Sequence, residues 1–212
     1  MQRVCFPLLM LSLAACTPSG APAPGAATAN DPATVHQRIL TLDTHLDTPR
    51  HFDRAGWDFT QRHTFATDLS HVDVPRMREG GLDGGFFVVY TPQEDLTPAG
   101  TAAEAAHAER RLSAIERVLR EHPDQLTLAT RAADAARIAR TGKRIVFISV
   151  ENSAPLGDSV AGLADWYRRG VRMAGPVHSR DNQFADSATG NRRWGGLSPL
   201  GRQWVAEMNR LG

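Results

Sequence analysis

Apolar and polar positions sort this chain into two kinds of segment that follow one another. Short, continuously apolar runs occur at Ile39-Leu40-Thr41-Leu42, at residues 84–90 (Gly-Gly-Phe-Phe-Val-Val-Tyr), at residues 144–150 and at residues 171–177. Each has the length of a strand and lacks the alternation of a sheet with one wet face, so each fits a strand buried on both sides, as parallel sheets require. Between the runs the period changes. Residues 101–121 place Ala105, Ala108, Leu112, Ile115 and Leu119 at helical spacing, open on a Thr101-x-x-Glu104 capping box and stop before Pro123. Shorter helices are expected over residues 74–79 before Gly80-Gly81, 132–140 before Gly142, and 159–169 before Gly170. A last one starts at the Ser198-Pro199 cap and carries Leu200, Trp204, Val205, Met208 and Leu211. Strand and helix in turn imply parallel strands with helical crossovers, either an open doubly wound sheet or a (β/α) barrel.

The polar residues that end these runs add chemistry. The first leads into Asp43-Thr44-His45-Leu46-Asp47-Thr48-Pro49, where alternation puts Asp43, His45 and Asp47 on one face and Pro49 stops the ladder. An imidazole nitrogen and a carboxylate oxygen two residues apart suit zinc or a similar divalent ion; magnesium or calcium is normally met by oxygens alone. The third run ends on Glu151 and the fourth on His178. Plainer readings exist for each: His45 and Asp47 bonded to each other in a polar turn, Glu151 a buried acid paired with an arginine, His178 a hydrogen-bonded strand-end histidine. Candidate ligands at three strand ends, with no glycine-rich phosphate loop after the first strand, favour the barrel, whose active site gathers strand ends at one face. Only about four β/α units are visible, and roughly 180 residues fall short of the ~250 typical of a complete (β/α)8 TIM-like barrel. The chain therefore reads as the N-terminal portion of one.

Composition narrows the class. With 42% hydrophobic and 22% charged residues, the 212-residue chain is globular in type. Its 24 basic and 23 acidic residues nearly cancel, which leaves no electrostatic footprint for nucleic acid. Arg3 and an apolar run over residues 4–15 have the form of a secretory leader. That leader closes on Leu13-Ala14-Ala15-Cys16, which resembles the lipobox of bacterial lipoproteins, where the cysteine is lipidated. The expected layout is a lipoprotein signal peptide over 1–15, a flexible Ala/Pro/Gly/Ser/Thr-rich tether over 16–33 and the barrel portion over 34–212. It places the protein in the bacterial cell envelope, lipid-anchored to the membrane and facing the periplasm or exterior. Cys5 lies in the leader and Cys16 is assigned to the lipid, so no thiol remains for disulfides or thiolate metal sites. Any metal falls to histidine and carboxylate. His63 and His71 flank a group of aspartates, and His36, His51, His107 and His122 are expected to be ordinary surface residues.

Taken in order, these stretches resemble the membrane dipeptidases (renal dipeptidase family) of zinc metallopeptidases, over residues 39–212. Residues 43–49 resemble the family's D-x-H-x-D-x-P. Thr67-Asp68-Leu69, Val72-Asp73-Val74-Pro75-Arg76-Met77 and Gly80-Gly81 resemble its next block, and Ser149-Val150-Glu151-Asn152 its glutamate block. His178-Ser179-Arg180-Asp181-Asn182 resembles T-H-x-x-x-N, with Val177 in place of the threonine; residues 196–201 and 207–212 resemble the run before the family's next histidine strand. The resemblance implies a barrel of the metal-dependent hydrolase type that cleaves dipeptide substrates with two Zn2+ per complete site and a metal-bridging hydroxide as nucleophile. It implies that His45 and Asp47 bind one zinc, that Glu151 bridges it to the second, and that His178 contacts the reacting carbonyl, with a homodimer among the allowed assemblies. The family's two further zinc histidines, its substrate-carboxylate arginine and its late acidic residue fall beyond residue 212, so the chain alone is expected to be inactive. Two other functions remain in view: a different amidohydrolase-like reaction, although those enzymes usually carry H-x-H where this chain has His45-Leu46-Asp47, and a non-catalytic surface lipoprotein that binds metal or a peptide.

Overall fold

A computed structural model describes residues 31–212. The expected leader, Cys16 and most of the tether lie outside the described residues. Residues 37–212 form one compact unit; the short helix α1 spans Pro32–Arg38. The strands are β1 (Leu42–Leu46), β2 (Gly84–Val89), β3 (Leu126–Leu128), β4 (Arg144–Val150) and β5 (Val171–Ala174). The remaining helices are α2 (Phe65–Asp68), α3 (Val74–Glu79), α4 (Pro98–Glu121), α5 (Ala132–Ala139), α6 (Gly162–Arg168) and α7 (Pro199–Leu211).

Every pairing in this sheet is parallel. β2 lies between β1 and β4, in register with β4 from Gly84 opposite Ile145 to Val89 opposite Val150. A strand has two edges, so β3 and β5 share the other edge of β4: β3 takes Arg144–Val146 and β5 the part from Ile148 to Val150. Side chains of β2 and β4 are buried on both faces, the reason their sequences carry no polar alternation. One face packs Phe87, Val146 and Ile148 against Phe52, Phe59 and the α4 residues Leu112, Ile115 and Val118. The other packs Ile145 and Phe147 against Ala135 and Ile138 of α5, with Phe86 stacked on Phe147 at 4.8 Å between centroids. Each of these large side chains contributes roughly 1.5–3 kcal/mol of burial.

Several boundaries differ from the sequence expectation. β3 was not expected: three residues are too few to show a period. β1 starts at Leu42, leaving Ile39 and Leu40 exposed, because anchoring to the next unit begins only at Thr41, whose N–H donates to Asp83 Oδ2 at 2.9 Å. α4 starts a turn earlier than residue 101. Thr97 is its cap, accepting the Gly100 N–H at 3.0 Å with Pro98 as first helical residue, which moves Glu104 out of the capping position and into the interior. β5 ends at Ala174, not at residue 177. The Gly175 N–H donates to the Val150 carbonyl at 2.8 Å, and Pro176 has no N–H with which to continue. Gly175 is required there, since a Cβ would lie 2.6 Å from the Glu151 carbonyl oxygen. α7 begins as expected, with Ser198 Oγ accepting the Gly201 N–H at 2.9 Å.

Candidate metal centre

Glu151 directly follows β4, and its side chain is only 11% exposed. Its Oε1 lies 2.6 Å from His178 Nε2 and its Oε2 lies 3.4 Å from His45 Nε2. His45, the fourth residue of β1, brings the same Nε2 to 3.5 Å from Asp47 Oδ1. Asp47 has left the strand, with φ −78° and ψ −1°, and opens a single 3₁₀ turn over Thr48–His51. Asp43 does not join the group despite sharing the face: its Oδ1 accepts the His45 N–H at 2.8 Å and so fixes the backbone of the ligand. One donor atom from each of His45, Asp47 and Glu151 lies within 4.8 Å of the others. His178 stands four residues beyond β5, edge-on to the Tyr90 ring at 6.0 Å.

The charge balance fits a cation. Both Glu151 oxygens face imidazoles, not an arginine, and among the described residues no lysine or arginine pairs with Asp47 or Glu151. One nitrogen and two carboxylates, half-open to solvent at His45 (49%) and Asp47 (59%), are a donor set for a divalent ion that accepts imidazole.

Beneath this rim lies a polar layer that the sequence did not reveal as such. Asn152, adjacent to Glu151, and Asn182, four residues past His178, are both fully buried. Asn182 Nδ2 donates to Asn152 Oδ1 at 3.0 Å and to the Pro176 carbonyl at 2.7 Å; Asn182 Oδ1 accepts the N–H groups of Phe184 (2.8 Å) and Ala185 (3.1 Å). Asn152 Oδ1 also accepts the Ala154 N–H at 3.1 Å, while its Nδ2 reaches Glu104 Oε2 at 3.4 Å and Thr91 Oγ1 at 3.5 Å. Glu104 Oε1 accepts the Glu94 N–H at 2.6 Å. Burial pushes the Glu104 carboxyl above the usual range, and the Glu94 N–H and Asn152 amide offset only part of that. Asn152 and Asn182 sit inside the stretches already singled out, but nothing in their spacing says that they meet. For Glu104 the available signal was Thr97-Pro98, the same Thr/Ser-Pro start that placed α7 correctly.

The other histidines divide. His51 is not a surface residue: it is 1% exposed, stacked on Trp57 at 5.2 Å between centroids, and its pKa is lowered by burial and then by Arg54 and Arg50. His63 Nδ1 lies 2.7 Å from Asp68 Oδ2, which also accepts from Trp57 Nε1 at 2.7 Å. Asp73 caps α3 and holds Arg76 Nε at 2.6 Å. The aspartates of that block thus fasten the loop between β1 and β2.

A parallel sheet that gathers imidazole and carboxylate donors at its strand ends defines an α/β protein with a metal-competent face. The profile of the membrane dipeptidases (peptidase family M19) matches residues 30–212, and the chain belongs to that family. It is 33% identical over 170 residues to dipeptidase tcpJ of Claviceps purpurea, an alignment spanning 76% of this chain and 40% of that protein. Among solved structures it resembles the probable dipeptidase PvdM from Pseudomonas aeruginosa, with TM-score 0.77 and 29% identity over 84% of this chain and 46% of the other. It also resembles a metallo peptidase from Rhodobacter sphaeroides liganded with a phosphinate mimic of the dipeptide L-Ala-D-Ala, with TM-score 0.66 and 25% identity over 82% of this chain and 56% of that one. The fold is that of the family's α/β barrel enzymes. The chain spans about half the length of these relatives or less.

Proposed function

We propose that these residues belong to a zinc-dependent dipeptidase anchored to the bacterial envelope through Cys16. The observation that carries the reading is the convergence of His45, Asp47 and Glu151 within 4.8 Å at strand ends of a membrane dipeptidase family chain. His45 and Asp47 would hold one zinc and Glu151 would be shared with a second; its two oxygens are turned to His45 and to His178. When bound, the metal pair supplies Lewis acidity and a water acidified enough to attack a peptide carbonyl near neutral pH. His178 would supply a hydrogen-bond donor to the carbonyl oxygen as charge develops there; in this structure its Nε2 lies 2.6 Å from Glu151 Oε1. The carboxylates of Asp47 and Glu151 offset the charge of the ions. Because the chain spans 40% of its Claviceps relative, the activity is proposed for the complete protein, to which these residues contribute one set of ligands.

The ligand of the Rhodobacter neighbour makes L-Ala-D-Ala a first substrate to try, beside L,L-dipeptides. The intact protein should hydrolyse dipeptides, lose the activity to a chelator and regain it with zinc. Stoichiometric zinc binding without hydrolysis of any dipeptide would favour the binding-lipoprotein reading instead. Fatty-acid labelling lost in Cys16→Ala is the expected sign of the anchor.

A further inference from the structure

In the layer beneath the metal-competent rim, one side chain joins the loop that carries His178 to the end of β4. The amide of Asn182 makes all four hydrogen bonds open to it, and they go to three places: the Pro176 carbonyl two residues before His178, the backbone at Phe184 and Ala185 after it, and the side chain of the residue next to Glu151. The loop carrying His178 is thereby tied at both flanks to one side chain, and that side chain is tied to the end of β4. Ser187 Oγ adds a third tie, donating to the His178 carbonyl at 2.6 Å. Glu104 holds the far end from α4 through Asn152 Nδ2. Within this frame the His178 Nε2 to Glu151 Oε1 distance is 2.6 Å; the His178 side chain is 43% exposed and otherwise meets the edge of the Tyr90 ring at 6.0 Å.

We propose that Asn182 is a positioning residue: its amide sets where the His178 imidazole stands relative to Glu151, with Asn152 and Glu104 as its anchor. The proposal rests on the dipeptidase reading for its kinetic consequence and on geometry alone for its cause. No contact of Asn182 with substrate or metal is involved. Residues that orient a functional group through hydrogen bonds typically change activity or metal affinity by roughly 10- to 100-fold when removed.

The test is a double-mutant cycle in the intact, zinc-loaded protein, with Asn182→Ala and the milder Asn182→Ser each made alone and in a His178→Ala background. Expected is a roughly 10- to 100-fold fall in kcat with KM changed much less, zinc stoichiometry retained, and little or no further loss when His178 is already absent. Ile138→Val, a core change on the opposite face of the sheet, should lower Tm and leave kcat alone. Equal loss of kcat in both backgrounds, or a fall in kcat that merely follows Tm as in the Ile138 control, would overturn the proposal. If the wild type turns over no dipeptide, the dipeptidase reading fails by itself. Positioning is then decided by NMR of the His178 ring: broadening or a shift of its resonances in Asn182→Ser, with the fold intact, supports it, and an unchanged ring signal refutes it.

Discussion

The rim and the layer below it use polar residues in opposite ways. At the rim, His45, Asp47 and His178 keep 43–59% of their side-chain surface in contact with solvent and make few bonds. In the layer below, Asn152 and Asn182 are fully buried and all their amide atoms are engaged. An exposed ligand keeps its lone pairs available to an ion; a buried amide without partners would cost about 1–3 kcal/mol, so it survives only where each bond is made. Reactivity and placement are therefore assigned to different residues, and only the first group carries a chemical signature that shows in sequence.

The contrast can be broken at its centre. Glu151 belongs to both regions, buried in its carboxylate and open toward the donors, so Glu151→Gln should lower zinc stoichiometry and rate together. His178→Ala, a change of the rim alone, should keep zinc and lose roughly 2–4 kcal/mol of transition-state stabilisation. Elemental analysis beside kinetics on the two variants separates them; zinc lost from His178→Ala but kept by Glu151→Gln would reverse the assigned roles.

A smaller effect sharpens the lower half of the comparison. Burial raises the folded pKa of Glu104 above its ordinary 4.5, so the folded state holds that proton more tightly than the unfolded chain. Its contribution to stability is then fully present below about pH 4.5 and is lost as pH rises through the folded value. Glu104→Gln carries no such titration. Thermal unfolding of both proteins from about pH 4 to about pH 7 should show the variant gaining on the wild type as pH rises. A constant difference across that range would mean that ionising Glu104 in its buried site costs nothing.

What the sequence disclosed follows the same division. The buried runs that became β2 and β4, the α7 cap and the polar ends of the strands were readable because each is a local pattern with a physical reason. Asn182 and Asn152 meet across 30 residues of chain, and no periodicity records a side chain pointed at a distant one. Glu104 was misplaced by a capping pattern that was locally valid; the earlier Thr97-Pro98 start outcompeted it, since proline at the first helical position loses no bond. The short β5 escaped because Val177 continues the apolar run, while the backbone ladder ends at Gly175-Pro176.

The split outer edge of β4 also imposes an order in time. A chain is made, and delivered to the place where it folds, N-terminus first. Once β4 lies beside β2, with β3 on the first half of its free edge, His45, Asp47 and Glu151 are already together, while Ile148–Val150 waits for a strand that has yet to be made. A purified chain ending between β4 and β5 should therefore retain zinc that a Glu151→Gln chain of the same length releases, a difference measurable by elemental analysis. Capture of the ion would precede the arrival of His178, and the ion would help hold the open half of β4 in place until β5 covers it.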